Sequence, residues 1–366
     1  MARFVLFLGA GASRRFALPT SDQLLKKIRR RFPGDEARID RLLNRAEMAG
    51  FNANLETLLG ILDSGSDPQK AIQVMGPFAS AIADPRRVRR LRPKIKDSEL
   101  STKIKDFILR QYFVNSERVV GDILKTCDDF FRGLKDRFEL PPLSRTHHLY
   151  PSLDIFTTNF DNVIEIFGRE SNTPVFNGHY HRPQLGWVYD HRKFVDGSMR
   201  TSIRLYKIHG TVTHAAYSAG RVIDEVTNLP KRGRLIIRGR PALPRLTYPG
   251  AYHYFSEEPQ LELLYLLKKK LCWATRCLVI GYSFGDPNIV QVFTDCIEMN
   301  PSLKVILLSK HAKSTIGDTS YNPKRVIAIP ARVEDIEIRK LKFDWLNDIL
   351  PGEALERSGR SRRLRC

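Results

Sequence analysis

The sequence predicts an α/β fold, a parallel sheet with helices on both faces, interrupted by a large helical insertion. Three observations carry this. Short apolar runs such as "FVLFL" (4–8), "CLVI" (277–280) and "KVILLS" (304–309) have the unbroken hydrophobicity of strands buried on both faces. Segments with apolar residues three and four apart alternate with them, as crossover connections require. The unusual polar and glycine residues stand at the carboxyl ends of those runs, where doubly wound sheets bind ligands.

The elements follow in order. "RFVLFLG" is a first, central strand that ends in Gly9-Ala10-Gly11-Ala12-Ser13. In "LPTSDQLLKKIRRRF" a helix begins with Ser21 or Asp22 as its cap. Residues 36–140 read as helices, with "ARIDRLLNRAEMA", "NLETLLGILDSG", "SELSTKIKDFILRQYF" and "ERVVGDILKTCDDFFRGLKDRF" all at helical spacing. Strand character resumes at "LDIFTTN" (153–159), and a helix is expected from Asp161 to Arg169. Between 174 and 250, "TPVFNG", "GWVYD", "IRLYKIHG" and "GRLIIRG" read as short strands among glycine- and proline-rich loops. A helix over 257–272, the strand–turn–helix "CLVIGYSFGDPNIVQVFTDCIEM", the strands "LKVILLS" and "RVIAIP" and a helix over 334–350 complete the pattern.

The 366 residues are 42% hydrophobic, enough for a sizeable core. No apolar run reaches the length of a membrane span, and the first apolar run lacks the basic flank of a signal peptide, so a cytoplasmic protein is expected. The five cysteines, Cys127, Cys272, Cys277, Cys296 and Cys366, form no CxxC and read as free thiols. His179, His181 and His191 have a spacing that is poorly diagnostic of a metal, and His147 and His148 read as surface residues. The formal charge of +20 is concentrated. "PRRVRRLRPKIK" (85–96) carries seven cations and no acid, and further clusters lie at 29–31, 231–240 and in the tail "ERSGRSRRLRC". Such clusters attract nucleic acid or an acidic protein face.

Glycine in "GAGAS" permits close backbone approach, so that N–H groups can cradle phosphate. In "TTNFD", Asn159 is a hydrogen-bonding residue at a strand end and Asp161 a cap for the next helix. "KIHG" puts His209 at another strand end, and "GYSFGDPN" puts Ser283 before a helix opened by Asp286-Pro287. In this order the four segments resemble the sirtuin family, and more closely its bacterial NAD-cleaving branch found in anti-phage defence proteins.

The resemblance implies a Rossmann-like, sirtuin-like domain over 1–352. Its nucleotide-binding core would be 1–22 and 150–332, its helical insertion about 23–149, with a basic tail at 353–366. It implies that Gly9, Ala10, Gly11, Ala12 and Ser13 hold the NAD pyrophosphate. Asn159 and His209 would flank the nicotinamide ribose as the catalytic pair. Thr158, Asp161, Gly281, Ser283 and Ser309 would complete the NAD site. The zinc-binding cysteines of sirtuin deacylases have no counterpart here: Cys272 and Cys277 lead straight into a buried strand, so no zinc is expected. The implied reaction is hydrolysis of the nicotinamide–ribose bond. Alternatives are ADP-ribosyl transfer, or a regulatory protein that binds a partner and only senses NAD or ADP-ribose. An NAD-depleting enzyme must be silent until triggered. That implies control through self-assembly as a homo-oligomer, through an Argonaute-like protein or a DNA-translocating ATPase, or through nucleic acid.

Overall fold

The computed structural model describes residues 4–48, 53–64, 95–138, 153–183, 186–194, 202–217, 222–230, 234–246, 260–310, 312 and 325–330. Two sheets organise them, joined by eight α-helices among the described residues. The larger sheet contains β1 (Phe4–Leu8), β2 (Leu153–Thr157), β3 (Val175–Phe176), β6 (Ile203–Lys207), β12 (Arg276–Ile280), β13 (Lys304–Ser309) and β14 (Val326–Pro330). Its order is β14-β13-β12-β1-β2-β6-β3, and every pairing is parallel. The chain places later strands on both sides of β1, so the crevice between the loops after β1, β2 and β12 is the topological switch point.

Both faces of this sheet are covered, which explains the apolar strand sequences. Leu6, Leu8, Ile155, Leu205, Leu278 and Ile306 point to one core. The helices there are α1 (Ser21–Arg31), α2 (Glu36–Met48), α3 (Leu55–Ser64), α4 (Ile95–Tyr112), α5 (Glu117–Phe138) and α6 (Val163–Glu170). Val5, Phe7, Phe156, Tyr206, Val279 and Leu307 point the other way, against α7 (Gln260–Trp273) and α8 (Pro287–Met299). The period-two alternation thus feeds two cores at once. Phe7 is fully buried, as are Phe156 and Tyr206, whose rings stack 4.1 Å apart.

The smaller sheet has the order β11-β7-β8-β5-β4, and its pairs are antiparallel. It comprises β4 (His179–Arg182), β5 (Gly186–Tyr189), β7 (Gly210–Tyr217), β8 (Val222–Glu225) and β11 (Leu243–Leu246). A two-residue pair, β9 (Ile236–Ile237) with β10 (Arg240–Pro241), stands apart. Of the short strands expected between 174 and 250, "TPVFNG" and "IRLYKIHG" hold β3 and β6 of the larger sheet, "GWVYD" holds β5 of the smaller one and "GRLIIRG" holds β9; β4, β7, β8 and β11 were not foreseen.

Two local expectations are corrected. The cap of α1 is Thr20, not Ser21 or Asp22: its Oγ1 accepts from Gln23 N while Gln23 Oε1 accepts from Thr20 N, a reciprocal capping box. The helix after β2 begins at Val163, because Asp161 and Asn162 are used in the turn before it. The helix expected over 334–350, the tail, the cationic run 85–94 and the 147–148 histidines lie outside the described residues. Among the described residues no helix is long and apolar enough to cross a membrane.

Candidate functional site

The "GAGAS" segment leaves β1 as a 3₁₀ helix, Ala10–Phe16, with Gly9 as its N-cap. What requires glycine here is another loop. Gly9 N donates to Ile280 O at 2.9 Å, and Gly11 N to Gly281 O at 2.8 Å. A Cβ on Gly9 would stand 2.5 Å from Tyr282 Cα, and one on Gly11 2.8 Å from Gly281 Cα. Gly281 has φ +63°, and a Cβ there would meet Ala12 N at 2.3 Å. The loops after β1 and β12 therefore pack backbone against backbone. The N–H groups of Gly9, Gly11 and Ala12 are spent inside the protein, on Ile280, Gly281 and Gly9 carbonyls. Three of the loop's five amides thus shape it.

The loop after β2 docks onto this pair. Asn159 Nδ2 donates to Gly9 O and to Ser13 Oγ, both at 3.0 Å, and Asn159 N donates to Thr157 Oγ1 at 3.0 Å. A backbone carbonyl cannot donate, so the contact with Gly9 O fixes which end of the amide is nitrogen. Asn159 Oδ1 is left as a buried acceptor without a hydrogen-bond partner. Ser13 Oγ in turn donates to Asp161 Oδ2 at 2.6 Å, and Asp161 Oδ1 accepts from Val163 N at 3.1 Å. Asp161 thus ties the first loop to the first residue of α6, although the N-cap itself is Asn162 and not the Asp161 that the sequence suggested. Burial raises its carboxyl above the ordinary 3.8, against the opposing pull of Lys207 and of the Ser13 and Val163 hydrogen bonds.

Lys207, at the end of β6, gives no strong sequence signal beyond a lysine inside the run "IRLYKIHG". Its ammonium is buried and bonds to Asp161 O and to Glu165 Oε1, the latter at 3.0 Å. Two residues on, His209 Nε2 lies 3.2 Å from Asp286 Oδ2. Asp286 also caps α8 by accepting from Asn288 N at 2.9 Å. Sequence reading placed Asp286 as a helix opener and missed its contact with His209.

These pieces enclose a cavity of about 190 Å³ at the switch point, lined by Ala10, Ser13, Thr158, Asn159, Asp161, His209, Gly281, Ser283 and Asp286. Ser21, Asp22, Asn54 and Tyr112 line it too. Asn54 precedes α3 and Tyr112 ends α4, so the helical insertion contributes to the wall. Tyr112 is anchored by donating from Oη to Pro19 O at 3.0 Å. Below, a second cavity of about 80 Å³ separates the sheet from α5, and Ala12, Ser13, Asn159 and Asp161 reach it. Gly9 and Gly11 act from behind, as backbone supports. Ser309 stands at the end of β13, buried, and is not among the residues that line either cavity.

Away from the crevice, His179 stacks on His214 at 3.9 Å in the small sheet, His181 lies against Trp187, and His191 sits in a short 3₁₀ turn. Among the described residues no three His, Cys, Asp or Glu side chains converge as a metal site. Cys127, Cys272, Cys277 and Cys296 are free thiols, with Cys272 Sγ 3.3 Å from Cys296 Sγ.

No curated protein matches the chain. Among solved structures, a Sir2 homologue in complex with NAD is 12% identical, covering 97% of this chain and 90% of its own, with a TM-score of 0.42. A mutant Sir2 homologue in complex with ADP-ribose is 13% identical, covering 99% and 94%, with a TM-score of 0.42. Sir2Tm bound to a propionylated peptide is 11% identical, covering 94% and 93%, with a TM-score of 0.41. Residues 154–325 match the model of the SIR2-like domain family, a stretch that runs from β2 to the threshold of β14 and holds Asn159, His209, Gly281 and Asp286. What the chain shows by sequence is thus a likeness to the SIR2-like domain family over residues 154–325.

Proposed function

We propose that this protein binds NAD in the switch-point crevice and hydrolyses its nicotinamide–ribose bond, giving nicotinamide and ADP-ribose. The observation that carries the reading is Asn159 Oδ1, a buried acceptor without a hydrogen-bond partner, in a cavity that His209 also lines. A buried acceptor is completed by an O–H donor. A ribose hydroxyl or the attacking water supplies one, while His209 supplies a base. Departure of nicotinamide breaks the C–N bond and leaves an oxocarbenium-like ribose. The water oxygen then bonds to the anomeric carbon, and its proton passes to the imidazole. The leaving group already carries positive charge, so the reaction needs no general acid.

The resemblance to the NAD-cleaving branch extends the proposal. The protein is a triggered effector of bacterial anti-phage defence that acts by NAD depletion, held silent until a homo-oligomer, a partner protein or nucleic acid engages it. The direct test is chromatography of NAD incubated with the purified full-length chain, with and without DNA or RNA. Equimolar nicotinamide and ADP-ribose support the proposal. Nicotinamide with ADP-ribose attached to protein or nucleic acid would replace hydrolysis by transfer, and unchanged NAD under every condition would refute catalysis.

A further inference from the structure

We propose that Asp286 is the positioning residue of His209, fixing which ring nitrogen carries the proton. The inference deepens the NAD-cleavage reading and rests on it. His209 lies in the turn after β6 and Asp286 caps α8, so the contact joins two sides of the crevice. Both side chains are buried, 7% and 2% exposed, with Nε2 3.2 Å from Oδ2.

The carboxylate is held by a second, independent task. Its Oδ1 accepts from Asn288 N at 2.9 Å and from Asn288 Nδ2 at 3.3 Å. Pro287 occupies the first position of α8 and has no N–H, so Asn288 supplies the first helical donor. The positive end of this 13-residue helix favours the ionised carboxylate. An ionised carboxylate only accepts. Nε2 therefore carries the hydrogen in this contact, and the neutral ring has its lone pair on Nδ1. That tautomer can take a proton from an O–H. The imidazolium then formed faces a buried negative charge that stabilises it. Asp286 touches neither proton donor nor leaving group in this scheme. It acts through the ring.

The two tasks of Asp286 can be separated. Asn caps helices about as well as Asp. In Asp286→Asn the amide oxygen keeps the Asn288 N–H, which turns the NH₂ group towards Nε2. An NH₂ donates, so Nε2 must become the acceptor and the ring hydrogen moves to Nδ1. The expected result is a folded protein whose kcat is lower by about 10²- to 10⁴-fold with KM little changed. The ¹⁵N shifts of the His209 ring should show the hydrogen moved from Nε2 to Nδ1. Asp286→Ser keeps a capping oxygen but cannot reach the ring, and should lose turnover as well. It serves as the test if the Asn variant does not fold. A folded Asp286→Asn protein with turnover within about twofold of wild type would overturn the proposal. So would a ring hydrogen on the same nitrogen in both proteins. If the wild type releases no nicotinamide, the NAD reading fails by itself, and the ring shifts of the unliganded protein still decide the positioning claim.

Discussion

Asn159 works at both ends of its amide, and substitution exposes both. The Nδ2 end staples the loop after β2 to Gly9 and Ser13, while the Oδ1 end is open to a ligand. Asn159→Ala should therefore lower unfolding stability by about 1–3 kcal/mol, since Gly9 O loses a buried donor. It should also abolish nicotinamide release, with NAD affinity measured by calorimetry largely kept. Full cleavage by the folded variant would remove Asn159 from the mechanism. His209→Ala should reduce turnover by about 10²-fold or more and weaken NAD binding far less. An equal loss of binding would make His209 a ribose holder. Asp161 gives a pH prediction. Its carboxyl is raised above 3.8 in the fold, so between that ordinary value and the raised one the native state binds more protons than the unfolded chain. Its contribution to stability is present below the ordinary value and is lost as pH rises through the raised one. Asp161→Asn cannot titrate there, so its urea-unfolding free energy should fall less steeply over that window. Parallel pH curves for the two proteins would contradict this.

The element most exposed to damage is the joint between the loops after β1 and β12. Gly281→Ala places a methyl group 2.3 Å from Ala12 N on a backbone at φ +63°, and neither partner is a side chain that can swing away. A cost of about 3 kcal/mol is expected, read as a lower urea midpoint, together with loss of NAD binding. A variant of wild-type stability would show that the loops can separate. The elements themselves were largely legible in the sequence. Strands β1, β12 and β13 are buried on both faces along most of their length, so their residues form apolar runs, β2 breaks its run only at the buried Asp154 and Thr157, and helices α2 to α5 keep regular amphipathic spacing. Of the small sheet only β5 was legible. Its neighbour β4 is four residues long and half-exposed, with no core face strong enough to impose a pattern. At the site, Asn159 and His209 stood out because both follow apolar strands. The His209–Asp286 contact, the Lys207 link to Asp161 and the wall residues Asn54 and Tyr112 were not legible. Each depends on segments far apart in sequence, and a capping aspartate reads the same whatever its second oxygen touches.

For the whole molecule, the charge of +20 exceeds anything that NAD demands. Replacing Arg86, Arg87, Arg89 and Arg90 with Ser should leave NAD affinity unchanged. It should weaken binding to DNA, RNA or an acidic partner, with a shallower dependence of log K on log salt. A variant with unaltered salt slope, activation and oligomeric state would reduce the cluster to a solvated face. The interlocked glycines also bear on when the molecule becomes competent. A growing chain that has emerged through β7 already possesses Asn159 and His209, yet β12 has not been made. Gly9 and Gly11 still lack the carbonyls they donate to, and Asp286 does not yet exist. The crevice closes only when β1 receives β12 as its neighbour. Contacts of such long range form late. If the proposed reading holds, affinity for NAD belongs only to a chain made through α8, and a shorter one cannot cleave it.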